Sequence, residues 1–121
     1  MALTILTNTD AETVVSVSDD IIRIELVNIG EGVCGDYDPE DPDDINLLRF
    51  DASIKNNDGE WEEIEDASYC TRLRADADIE QLKKAATMIH NSYRSEISSY
   101  ESYLNGPSVK KLGEELSWIE V

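Results

Sequence analysis

The apolar residues of this chain change their period once, and that change limits what it can fold into. Up to about residue 70 they tend to recur at every second position. From Leu82 onward they recur at every third or fourth. A period of two puts alternate side chains on opposite faces of a strand, and a period near 3.6 lays them along one side of a helix. A sheet followed by a helix, each with one apolar side, must stack the two together. The expected fold is α+β: an antiparallel sheet of roughly four to six strands with one long helix from the C-terminal half packed on one face. At 121 residues the chain suits a single domain, 1–121. It is mainly β over 1–73, with a long helix over 78–104, then a short helix and a terminal strand over 108–121.

Three segments read as early strands: Leu3 to Thr7, Thr13 to Val17 and Ile21 to Val27. Asn8-Thr9-Asp10 and Ser18-Asp19-Asp20 are the turns between them. In the third, Ile22, Ile24 and Leu26 share one face while Arg23 and Glu25 point the other way, the pattern of a half-buried strand. A strand from Leu47 to Ile54 puts Leu48, Phe50, Ala52 and Ile54 on one face, and Asn56-Asn57-Asp58-Gly59 turns it into a return strand. That strand runs from Glu60 to Glu65 and extends towards Tyr69-Cys70. Its register stays open, because two- and three-residue turns bring different residues inward. Trp61 reads as core or as an anchor for a partner, with the core favoured.

The helical half begins with Asp78-Ile79-Glu80-Gln81, a capping box. Leu82, Ala86, Ile89, Tyr93, Ile97, Tyr100 and Leu104 then form one stripe, which predicts a single helix of roughly 26 residues and 39 Å. Asn105-Gly106-Pro107 ends it. The stripe is expected to cover a sheet face; a dimer seam using aromatics such as Tyr103 is the alternative. His90 reads as a surface or boundary residue of this helix.

Charge is distributed as unevenly as the pattern. The chain holds 27 acids and 10 bases, a net of −17. From Met1 to Asp66 there are 19 acids against Arg23, Arg49 and Lys55; from Ala67 onward 8 acids meet 7 bases. Two clusters hold much of the excess. One is Asp36, Asp38, Glu40, Asp41, Asp43 and Asp44, with Tyr37 among them, in a long Gly- and Pro-containing loop over 28–44. The other is Asp58, Glu60, Glu62, Glu63, Glu65 and Asp66 on the hairpin. On a regular strand Glu60, Glu62 and Asp66 would share one face and Glu63 and Glu65 the other, ~6.7 Å apart along each, near the phosphate spacing of a DNA strand. DNA carries about one charge per 110 Å². A net of −17 spread evenly over the ~6,500 Å² expected here is several times sparser, so imitation of a nucleic acid requires the two clusters to adjoin.

Other chemistries fit poorly. The acid excess argues against direct binding of nucleic acid or an anionic membrane. No apolar run spans a bilayer and residues 1–20 lack a signal-peptide pattern, so the chain reads as soluble and cytoplasmic. Cys34 and Cys70 then read as free thiols. With only these and His90, a zinc site lacks ligands, and nothing local supports a Cys–His nucleophile pair. The segment 36–44 opens like an EF-hand loop, but Asp41 stands where the turn needs glycine and Leu47 where a bidentate Glu belongs. No glycine loop for phosphates and no catalytic triad order is present, so neither a cofactor nor an enzyme is expected.

The expected function is binding. The twelve acids named above, with Tyr37, form the expected partner-binding surface, and the expected partner is a basic protein such as a nuclease or a nucleoprotein effector. Lys and Arg side chains that normally meet phosphates would meet these carboxylates. In type the chain resembles small acidic phage-encoded inhibitors of host defence nucleases, anti-CRISPR proteins among them, though no motif transfers residue roles. An immunity protein binding a toxin nuclease outside its nucleic-acid groove is the alternative, and a non-inhibitory assembly or regulatory module is a third. An acidic surface also serves solubility alone.

Overall fold

Five strands pair in the order in which the chain makes them: β1 (Thr4–Thr7), β2 (Thr13–Ser18), β3 (Ile22–Asn28), β4 (Leu48–Lys55) and β5 (Trp61–Cys70). Every pairing is antiparallel, so the sheet is a meander. Two helices follow, α1 (Ile79–Glu96) and α2 (Tyr100–Leu104), giving the α+β fold that the two periods predict. This computed structural model describes residues 3–8, 13–28, 48–70, 78–106 and 116, without the side chains of 28, 48 and 65–70. The expected 36–44 loop lies outside these residues. So does the expected short helix and strand over 108–121, apart from Leu116, which packs against the core.

The alternation in β3 sets the layers. Ile22, Ile24 and Leu26 are fully buried, and across the ladder they face Ile54, Ala52 and Phe50 of β4. Val15 and Val17 of β2 continue the apolar face on the other side. A one-residue shift at the start of β2 lets the consecutive Val14 and Val15 both be buried, as a β-bulge does. From above, α1 lies over β2 and β3 and lowers Leu82, Ala85, Ala86, Ile89 and Tyr93 onto this face. The two alanines let the helix backbone approach, and Tyr93 meets Phe50 edge to face at 6.5 Å. Four of the predicted stripe residues, Leu82, Ala86, Ile89 and Tyr93, lie on the buried side of α1, so the helix covers the sheet.

The helix does not run on to Leu104. Ile97 is extended (φ −122°, ψ 107°) and ends α1, and Ser99 starts α2 by accepting the Ser102 amide on its hydroxyl at 3.1 Å. Serine competes with helical hydrogen bonding and favours such caps. Arg94 donates to the Ile97 carbonyl at 2.8 Å, which satisfies an acceptor at the break. The bend keeps Ile97 fully buried and turns Tyr100 towards the sheet edge, so the stripe survives although the helix does not. At the start of α1 the capping box is formed, with 2.9 Å bonds from the Gln81 amide to Asp78 and from the Asp78 amide to Gln81.

The β4–β5 pairing departs furthest from regularity. Asp51 faces Ser68, yet Ser53 faces Glu63, so residues 64–67 stand against the single position Ala52. Three extra residues invert the face parity along β5. Trp61 and Glu63 pair with the outward positions Lys55 and Ser53, Glu62 pairs with inward Ile54, and Asp66 has no ladder partner. The expected sharing of one face by Glu60, Glu62 and Asp66, and of the other by Glu63 and Glu65, turns on the side chains of Glu65 and Asp66, which are not among those described.

Candidate functional site

In a meander, alternate turns lie at the same end of the sheet. The β2–β3 turn, the β4–β5 turn and the end of α1 meet at one end, where Lys55 donates its amide to the Ile21 carbonyl at 2.8 Å. Both turns are built by a side chain that gathers backbone amides. Asn56 accepts from the Asp58 and Glu60 amides at 2.9 and 3.1 Å, and Gly59 takes the left-handed conformation (φ 80°) that closes the turn. Asp19 accepts from the Ile21 and Ile22 amides at 2.7 and 2.8 Å.

Asp58, Glu60, Glu62 and Glu63 are exposed around this hairpin. Asp58 and Glu60 flank Gly59 at the tip. Glu62 sits at the rim of the core side and accepts a 2.8 Å bond from the Tyr100 hydroxyl of α2. Glu63 occupies an outward position. Among the described residues, Asp58, Glu60 and Glu62 form no ion pair. Tyr100 stacks on Tyr103, with centroids 6.0 Å apart. Its phenol is pushed above the ordinary value by the bond to Glu62, by desolvation and by the charges of Glu62, Tyr103 and Asp58. Sequence reading placed Tyr100 in the core stripe and Tyr103 in an alternative dimer seam; both pack against the margin of the core at this end of the molecule.

The remaining expected acids are elsewhere. Glu65 and Asp66 lie in β5, and their side chains are not among those described. Asp36, Tyr37, Asp38, Glu40, Asp41, Asp43 and Asp44 lie outside the described residues. Their segment leaves and rejoins the sheet at Asn28 and Leu48, which pair with each other at the end opposite the hairpin tip. Seven strand steps separate Leu48 from Lys55, about 24 Å.

The outer sheet face holds the three bases of the first half. Arg49 grips Asp51 through two bonds of 3.0 and 3.2 Å, and Arg23 lies 3.3 Å from Glu25. Trp61 is not in the core; its ring is on this face, 4.8 Å from the Arg23 guanidinium and 5.1 Å from the Lys55 ammonium. Two of the three bases here are thus paired with acids of the same face, and Lys55 lies against Trp61.

The buried polar group of the molecule is a second outcome that sequence reading missed. His90 is not a boundary residue; it is 1% exposed. Its Nε2 lies 3.1 Å from Asp19 Oδ2, outside hydrogen-bond alignment, and neither ring nitrogen has a hydrogen-bond partner among the described residues. Arg94 donates to the same Oδ2 at 2.7 Å. Burial alone would raise the Asp19 carboxyl, but the Ile22 and Ile21 amides and the charges of His90 and Arg94 outweigh it and hold it below its ordinary value. The group ties α1 to the β2–β3 turn and offers no open position to a substrate.

Among the described residues no set of three His, Cys, Asp or Glu side chains is placed to hold a metal ion, and no helix is long and apolar enough to cross a membrane. No family model, no curated protein and no solved structure matches this chain.

Proposed function

We propose that the protein is a non-enzymatic inhibitor that presents hairpin carboxylates to a basic, nucleic-acid-binding site on another protein, in the manner of phage anti-defence or anti-CRISPR proteins. The observation that carries this reading is the separation of charge. On the outer face Arg23 pairs with Glu25 and Arg49 with Asp51, while among the described residues Asp58, Glu60 and Glu62 at the hairpin end form no ion pair. Like charges left together destabilise a compact chain unless a cationic surface meets them. Arg or Lys of the partner would meet these carboxylates and stack on Tyr100 and Tyr103, and long-range attraction would speed encounter. The acids over 36–44 join this surface only if their segment reaches back along the sheet. A cytoplasmic setting, where such effectors work, belongs to the same reading.

The test is retention of a basic nuclease or nucleoprotein at low salt, its loss near about 0.5 M salt, and its displacement by duplex DNA or by RNA. Asp58→Lys, Glu60→Lys and Glu62→Lys together should weaken that complex by orders of magnitude. Retention that nucleic acid does not displace would instead mark an immunity-type contact outside the groove. Unchanged affinity in the triple variant would remove the hairpin from the interface.

A further inference from the structure

The opposite edge of the sheet carries a different kind of surface. All four residues of β1 are exposed, with Ile5 at 43% and Leu6 at 64%. The Asn8 amide donates to the Val14 carbonyl, in register with the β1–β2 ladder. Hydrogen-bonded and non-bonded positions alternate along an antiparallel pair. Asn8, Leu6 and Thr4 therefore bond towards β2, and the amides and carbonyls of Ile5 and Thr7 point away from the sheet. Among the described residues nothing pairs with them. Exposed edges are commonly guarded by being short or by Lys, Pro or a bulge; β1 is short, at four residues, but Thr4-Ile5-Leu6-Thr7 has no Lys, Pro or bulge.

We infer that β1 is a pairing edge for a second copy of this chain, joined antiparallel about a two-fold axis at Leu6. In that register Ile5 and Thr7 of each copy exchange backbone bonds with Thr7 and Ile5 of the other, which uses all four outward groups on each side. Leu6 meets Leu6 of the second copy at a non-bonded position, where side chains are closest. The charge distribution permits it. β1 is uncharged, and the hairpin acids stand at the far edge, four strands away. Across the joined sheet the two β5 strands are nine spacings apart, about 43 Å, well beyond the ~8 Å screening length of physiological salt. A four-residue edge buries little area, so the dimer is weak.

Sedimentation of the full chain tests this. The dimer should rise from under about a tenth of the protein near ~10 µM to over about half near ~500 µM. It should strengthen with salt, because two copies of net −17 repel; a complex with a basic partner weakens, so the two readings fail separately. Leu6→Lys should abolish the dimer and leave the melting temperature unchanged, since the side chain is exposed. Ile5→Pro removes an outward amide and no β1–β2 bond, and should do the same. The Ile5 and Thr7 amides should exchange more slowly with solvent at the higher concentration. A monomer at ~500 µM in about 0.5 M salt, or a dimer that persists in Leu6→Lys, overturns the inference.

Discussion

Two turns at the same end of the sheet carry carboxylates, and the fold treats them in opposite ways. At the β2–β3 turn, Asp19 is sealed from solvent and takes two amides, the Arg94 guanidinium and the neighbouring His90 ring. At the β4–β5 turn, Asp58 and Glu60 are exposed and form no ion pair among the described residues, and Glu62 accepts from a tyrosine hydroxyl. The first arrangement stabilises the fold and offers nothing outward. The second forms no ion pair among the described residues and leaves its charge facing solvent. Acid count alone does not distinguish them; partner geometry does.

The largest effect should come from breaking the buried arrangement. Asp19→Ala removes the buried carboxylate that Arg94, His90 and two amides face, and should cost about 3–5 kcal/mol in denaturant unfolding. Acid tests the same group. Its folded value lies below the ordinary 3.8, so the stability it contributes is complete above that pH and is lost as the pH falls through the folded value. Acid unfolding of the parent should steepen there, and Asp19→Ala should flatten it. The charge reversal at Asp58, Glu60 and Glu62 should leave stability within about 0.5 kcal/mol of the parent, slightly raised as repulsion is relieved. A large loss of stability would show that these acids serve the fold. The smallest effect belongs to Tyr100. Alkaline absorbance titration should show one phenol ionising late, and Glu62→Gln should bring it back towards its ordinary value of 10.

The same contrast explains what was legible in advance. The β3 alternation placed Ile22, Ile24 and Leu26 inward because one face is buried and the other polar, and the Asp78–Gln81 cap is a local pattern that needs no distant partner. In Glu62-Glu63-Ile64-Glu65-Asp66 a single apolar residue fixes the pairing, so the register was free to shift by three. The break at Ile97 was hidden because a bend that returns both Ile97 and Tyr100 to the sheet preserves the spacing of the stripe. Burial of His90 depends on Asp19, and Arg94 reaches that same carboxylate across 75 positions, a span no local pattern reports. Of the expected binding surface, Asp58, Glu60 and Glu62 lie near one another at the hairpin end. Tyr100 and Tyr103 joined them through a tertiary bend that periodicity does not encode.

The tie between Arg94 and Asp19 also bears on how the polypeptide can be divided. A cut between residues 70 and 78 would yield two pieces, one holding the five strands and the other both helices. Each piece would carry half of a greasy interface and one member of the Arg94–Asp19 charge pair. Mixed together, they should reassemble in fixed alignment, because only one docking of the helical fragment brings that guanidinium back to its carboxylate.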